Sequence, residues 1–281
     1  MKIGKYELHA INTTTFGLDG GAMFGVVPKQ LWQKTNPSDE QNRITLGARC
    51  LLLDGGKRKI LIDTGIGDKW DDKFKQIYRV EEKENALSSS LKKLNVDSSQ
   101  ITDVLITHLH FDHTGGSTCF VDGKWLPAFP NAKYYIQKKH FEWAQNPTEK
   151  DKASFVLNRF MPLYDAGILK LIDEKEFDDE IELLVINGHT ISQQMIKIYD
   201  TSNTVLYCGD LIPTSAHIPI PYVMGYDLQP LITIQEKKEL YKKALNENWI
   251  LFFEHDPKIV MATLNESTKG FIANRTFTEI Q

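Results

Sequence analysis

The chain reads as an α/β protein, two packed β-sheets with helices outside, and three observations carry that reading. Short apolar strand-like runs alternate with amphipathic helical ones along most of the 281 residues. These runs fall into two comparable sets, one on each side of about residue 150, with no linker, composition break or detectable repeat between them. Several strands also end on a histidine or an aspartate, and strand ends at one sheet edge are where α/β proteins collect their chemistry. The expectation is one domain over 1–281.

The elements follow in order. KYELHAIN opens as a strand, and residues 17–43, rich in Gly, Pro and Asn, are too long for a plain connection. That stretch carries Met23, Phe24 and Trp32, so a folded flap is expected rather than disorder. ARCLLLD and KRKILIDTG are apolar strands joined around Asp54-Gly55-Gly56, a hairpin signal. In NALSSSLKKLN, Leu87, Leu91 and Leu94 recur at helical spacing behind Asn85 as N-cap. ITDVLIT is a β-branched strand, CFVDGKWLP a hairpin, AKYYIQ a strand and KKHFEWAQN a helix start. The apolar period of DKASFVLNRFMPLYDAG predicts one helix with a Gly stop. LKLID, EIELLVI, QMIKIYD and TVLYCGD are short strands, ITIQEKKELYKKALNEN is an amphipathic helix and WILFFEHD a last buried strand.

The chemistry concentrates in THLHFDHTGG, where His108, His110, Asp112 and His113 crowd into six positions. His-x-His-x-Asp-His arises by chance in fewer than roughly one chain in a thousand of this length. Later strands end on His189, Asp210 and His255. His108 and His110, two apart at a strand end, point to one side; Asp112 and His113, past a turn, can address a second point. Gly115 and Gly116 let the backbone bend with no Cβ in the way. Five imidazoles and two carboxylates gathered away from water leave charges or lone pairs unpaired unless cations join them. Imidazole with carboxylate suits zinc, iron, manganese or cobalt better than magnesium or calcium.

Composition excludes other classes. Net charge is −4, with 41% hydrophobic and 25% charged residues, so no general cationic surface invites nucleic acid. Lys138-Lys139 and Lys237-Lys238 sit among acids and read as solvated helix faces. MKIGKYELHAIN has no basic segment leading into an apolar one, and no run is long enough to span a membrane, so a cytoplasmic protein is expected. Cys50, Cys119 and Cys208 form no CxxC, and Cys50 and Cys208 lie in apolar strands as small buried hydrophobes.

The set His108, His110, Asp112, His113, His189, Asp210 and His255 resembles the binuclear site of the metallo-β-lactamase superfamily, over about Ala48 to His255. DGGAMFGVVP and GDLIPTSAHIPIPYVMGYD look like its branch of N-acyl-homoserine-lactone lactonases and methyl-parathion-hydrolase-like enzymes. The resemblance implies a four-layer αββα sandwich of two mixed sheets. It implies that His108, His110 and His189 hold one divalent ion, that Asp112, His113 and His255 hold the other, and that Asp210 bridges them. Asp63 of ILIDTG matches the aspartate that orients a ligand histidine, with a structural cap on the Thr64-Gly65 turn as the alternative. On the same resemblance a hydroxide between two cations, zinc first among them, is expected to attack a lactone or related ester, with Asp112 delivering a proton to the leaving group. The lactonases carry a tyrosine three residues after the bridging aspartate, where this chain has Pro213.

Lesser candidates have two readings each. Met23, Phe24 and Trp32 wall an apolar pocket, pack the flap down or make a dimer contact. His217, Tyr222 and Tyr226 share a loop that passes near the site, where either tyrosine could replace the missing one. His9 and His140 read as partly exposed polar residues. The partner is then a small-molecule ester or lactone, with neither nucleic acid nor membrane involved, and a homodimer is open. A phosphotriesterase or thioesterase on the same centre is the competing enzyme, and a non-catalytic metal-binding protein the reading of another class.

Overall fold

The apolar runs become the strands of two seven-stranded mixed sheets in the computed structural model, which describes residues 1–81, 86–173 and 175–280. In chain order the first half supplies β1 (Lys2–Ile3), β2 (Tyr6–Asp19), β3 (Arg43–Gly55), β4 (Arg58–Ile62) and β5 (Asp103–Leu105). It continues with β6 (Thr118–Val121) and β7 (Lys124–Pro127), which form a separate ribbon, and then β8 (Lys133–Gln137) and β9 (Leu169–Ile172). The first sheet runs β1-β2-β3-β4-β5-β8-β9, with β4, β5, β8 and β9 paired in parallel and β3–β4 antiparallel. In β3 the residues from Leu46 to Leu53 are buried on both faces, the near-continuous apolar pattern of an interior strand.

The second sheet keeps sequence order. It contains β10 (Glu176–Asp178), β11 (Ile181–Ile186), β12 (Gln193–Tyr199), β13 (Thr204–Tyr207), β14 (Ile250–Phe252), β15 (Met261–Ser267) and β16 (Gly270–Phe277). Only the β13–β14 pair is parallel, because only there does a helix carry the chain across between neighbours.

The helices are α1 (Gly20–Phe24), α2 (Lys29–Trp32), α3 (Asp72–Tyr78), α4 (Ala86–Lys92), α5 (Phe111–Thr114), α6 (Lys138–Gln145), α7 (Met161–Asp165) and α8 (Pro230–Asn246). α6 packs on β8 and α8 on β15. Among the described residues no helix is long and apolar enough to cross a membrane. By contacts the chain forms two compact units, residues 1–14 with 48–174, and 15–47 with 175–281. Each has its own core, Leu52, Leu61, Val104, Ile136 and Phe141 in the first and Leu206, Leu240, Trp249, Leu251 and Phe253 in the second.

Several local expectations need correction. The single helix expected over 151–167 is two 3₁₀ turns, Lys152–Ser154 and Leu157–Arg159, followed by α7. Pro162 sits in the first turn of α7, where its missing N–H costs nothing but a continuing helix would have needed it. The hairpin β15–β16 and helix α3 had no counterpart in the sequence reading. Leu94 lies beyond α4 and is 37% exposed, and its expected N-cap, Asn85, lies outside the described residues. His140 is fully buried rather than partly exposed, and so is Lys237 of the supposedly solvated helix face.

Candidate metal centre

Strand ends place the donors of the first unit. β5 stops at Leu105, the chain passes Thr107 and His108, and His110 takes the N-cap position of α5, which carries Asp112 and His113. All four donors are buried. His108 Nε2 and His110 Nδ1 are 3.0 Å apart, and the donor atoms of Asp112 and His113 come within 4.8 Å of one another.

Asp63, directly after β4, organises this turn from the neighbouring strand. It has a left-handed backbone (φ 53°), uncommon for a residue with a side chain. Its Oδ1 accepts from the Thr107 amide and its Oδ2 from the Thr107 hydroxyl, both at 2.7 Å. His113 Nδ1–H donates to Oδ2 at 3.1 Å, which puts the neutral ring's proton on Nδ1 and its lone pair on Nε2. Thr64 closes the turn from the far side, its amide and hydroxyl both donating to the His113 carbonyl at 2.9 Å.

The diglycine lies in the expected turn, and the close approach of another backbone explains why it tolerates no Cβ. Gly115 has φ −56°, open to any residue, but a Cβ there would meet the Ile66 carbonyl oxygen at 1.8 Å. A Cβ on Gly116 would meet the Thr64 oxygen at 2.3 Å. The two glycines let the donor turn lie directly on the 64–67 backbone.

In the second unit, β11 leads to Asn187-Gly188-His189, β13 to Asp210 and β14 to His255. Asp210 stands between the two histidines, its Oδ2 3.2 Å from His189 Nε2 and its Oδ1 3.2 Å from His255 Nε2. The far side of each ring is held. His189 Nδ1–H donates to Asp227 Oδ1 at 3.0 Å, and His255 Nδ1–H to the Gly47 carbonyl at 2.8 Å. α8 fixes the turn before His189: Glu236 accepts from the amides of Asn187 and Gly188 at 2.6 and 3.0 Å. A Cβ on Gly188 would strike Thr233 at 2.4 Å. The Pro213 carbonyl accepts from the His255 amide at 3.0 Å, so this position ties down the segment that carries His255.

The donors suit divalent cations in both units. His113, His189 and His255 each spend Nδ1–H on an oxygen and turn Nε2 toward other donors, the arrangement metal-ligating histidines adopt. Imidazole nitrogens at 3.0 Å in one unit, and a carboxylate shared by two imidazoles in the other, are what two cations would draw together.

Residues missed by the sequence reading surround these donors. Asp227 and Glu236 lie 38 and 48 positions from their partners, with no local pattern to betray them. His140 Nε2 accepts from the Leu109 amide at 2.8 Å, between His108 and His110 in the chain. Arg159 is buried with its guanidinium 4.1 Å from both the Trp70 and Trp125 ring centres, and it donates to the carbonyls of Gly115 and Asp68 at 3.1 and 2.7 Å. Burial pushes its pKa down to about 10. Trp70, Phe74 and Tyr78 flank Phe111, with Phe74 and Tyr78 5.0 and 4.9 Å from its ring, a half-buried aromatic wall beside Asp112. Burial first, and then the Asp112 charge, raises the Tyr78 pKa.

Met23, Phe24 and Trp32 are at most 2% exposed and pack inside their own unit. Trp32, Phe24 and His217 stack in a ladder, with ring centres 5.4 and 4.5 Å apart and planes within 8°. Tyr222 meets Phe24 edge-on. His217 has both ring nitrogens engaged, Nε2–H donating to the Met23 carbonyl at 2.8 Å and Nδ1 accepting from Thr214 at 2.7 Å. Burial pushes its pKa down to about 4. Tyr226, beside Asp227, is 36% exposed.

Comparison with known proteins agrees with this geometry. Residues 44–258 match the metallo-beta-lactamase superfamily. An N-acyl homoserine lactonase of Bacillus cereus is 26% identical over 227 residues, 76% of this chain and 83% of the relative. A probable metal-dependent hydrolase from Staphylococcus aureus superposes with a TM-score of 0.88 at 29% identity, over 99% of this chain and 100% of the other. AidC, a dizinc quorum-quenching lactonase, shares the fold with a TM-score of 0.81 at 20% identity, over 99% of this chain and 97% of its own. With the family match spanning residues 44–258, the chain belongs to the metallo-beta-lactamase superfamily and is a metal-dependent hydrolase within it.

Proposed function

We propose that His108, His110, Asp112, His113, His189, Asp210 and His255 together hold two divalent cations, zinc foremost, with iron, manganese or cobalt able to replace it. On this reading the chain opens lactones or cleaves related esters, and quorum quenching by opening acyl-homoserine lactones is the corresponding role. The observation that carries the proposal is the orientation of His113, His189 and His255, each held through Nδ1 so that Nε2 serves as ligand. The likeness to homoserine lactonases directs it to lactones.

Bound there, the cations would supply an activated water and positive charge for a developing oxyanion. The chain's own residues do the rest. Asp210 lies between His189 and His255, where its carboxylate would help hold the cations. Asp112, 6% exposed beside the aromatic wall, would pass a proton to the leaving oxygen. Trp70, Phe74, Tyr78 and Phe111 receive the apolar part of the substrate and keep water from it. Tyr226, 36% exposed in the same loop, would face the substrate carbonyl in place of a tyrosine at Pro213.

The test is turnover by zinc-reconstituted protein of γ-lactones, p-nitrophenyl esters, paraoxon-like triesters and acyl thioesters. Lactones are expected to react fastest. Faster triester cleavage would move the assignment to a phosphotriesterase, and inertness toward all four would sink the hydrolase reading. Asp112→Asn is expected to lose metal and activity together; full occupancy with unchanged turnover would remove Asp112 from the site.

A further inference from the structure

Asp227 sits at the end of the loop that follows the 3₁₀ turn Ser215–His217, 38 positions after His189, and its carboxylate is 3% exposed. Its two oxygens have different tasks. Oδ1 accepts from His189 Nδ1–H at 3.0 Å, and Oδ2 accepts from the Met224 amide at 3.2 Å. The surrounding backbone is tied to the same place, because the Leu228 amide donates to the His189 carbonyl and the Gln229 amide to the Gly188 carbonyl. The opposite nitrogen of the ring, Nε2, lies 3.2 Å from Asp210.

We propose that Asp227 is a positioning residue for the metal centre: it fixes His189 in the Nδ1–H tautomer, aims Nε2 at the cation and anchors the 222–227 loop to that ligand. The inference rests on the reading that His189 binds metal. The chemistry is specific to a carboxylate. A neutral imidazole carries one N–H, and a strong acceptor on Nδ1 draws it there, leaving Nε2 bare. Asparagine cannot take over both tasks. If its oxygen accepts from His189, its NH₂ group faces the Met224 N–H, donor against donor; if it turns round, the NH₂ opposes His189 Nδ1–H.

The experiment measures zinc affinity of the full chain by competition with a chromophoric chelator, for the parent and for Asp227→Asn, Asp227→Ala and His189→Ala. Thermal unfolding of each metal-free variant reports folding separately. Asp227→Asn and Asp227→Ala are expected to weaken zinc binding 10- to 100-fold, the range found when such supporting partners are removed. A zinc affinity within twofold of the parent in both Asp227 variants, with His189→Ala clearly weakened, would overturn the inference alone. An unchanged affinity in His189→Ala would overturn the metal reading beneath it. Should both Asp227 variants fail to fold, the parent still decides the matter by NMR of the zinc-loaded protein. A slowly exchanging, downfield Nδ1–H on His189 is expected, and an Nδ1 without its proton would refute the assignment.

Discussion

At residue 115 the constraint is space rather than flexibility. Any amino acid could adopt φ −56°, yet a methyl group would be driven into the Ile66 carbonyl. Gly115→Ala is therefore expected to cost about 1–3 kcal/mol or more by forcing two backbones apart. It should also lower zinc occupancy, since His113 lies two residues away; thermal unfolding and metal analysis would check both. Asp63 poses the opposite demand, a side chain in a backbone region that favours glycine, held there by Thr107 and His113. Residues of this kind were unevenly legible in the sequence. The four donors of HLHFDH declare themselves because six consecutive positions contain them. Asp227, Glu236, His140 and Arg159 do not, because each acts on a partner 31 to 49 positions away and aspartate, glutamate and arginine are common in ordinary loops and helices.

At the scale of elements, the loop from Pro213 to Gln229 is held down from two sides. Lys237, buried on α8, donates to the carbonyls of His217, Pro219 and Tyr222 at 2.6, 2.9 and 3.0 Å, while the flap ladder covers His217. The ladder makes the flap a packed lid on that loop. Phe24→Ala is thus expected to destabilise the fold by about 3–5 kcal/mol and to raise KM for short and long substrates alike. A selective loss of long-chain substrates would instead make Phe24 a pocket wall. Buried His217 also predicts a pH dependence. Its folded pKa, about 4, lies below the ordinary 6.5, so the unfolded chain binds the proton more readily. Stability must then fall as pH drops from about 6.5 to about 4, by about 3 kcal/mol from this group. Comparing the unfolding free energies of the parent and His217→Gln across that range isolates the effect, and equal slopes would refute it. Elements were legible where apolar period and punctuation agreed, as in β3, β4 and α8. They were missed where polar residues diluted the alternation, as in MATLNES and GFIANRTF, and overextended at 151–167, where an apolar period conceals Pro162.

For the whole molecule, the donors divide four to three between the units, His108, His110, Asp112 and His113 in one and His189, Asp210 and His255 in the other. If both sets serve the same two cations, His108→Ala and His189→Ala should each lower zinc content of the intact chain, although the substitutions fall in different units. Zinc should also stabilise the fold by about 4 kcal/mol at a free concentration a thousand times its Kd. Chelation should reverse this, as a drop in Tm that added zinc restores. The family was legible in the sequence because four donors crowd into HLHFDH, whereas the carbonyls and carboxylates that aim the donors lie far from them in the chain.

His255 is delivered by a strand only three residues long, β14, flanked by β13 and β15. A chain clipped just after Asp256 would turn that interior strand into a raw border, with unpaired amides inviting a neighbouring molecule. Attempts to minimise this enzyme from its C-terminal end should therefore yield insoluble material before they yield a smaller catalyst.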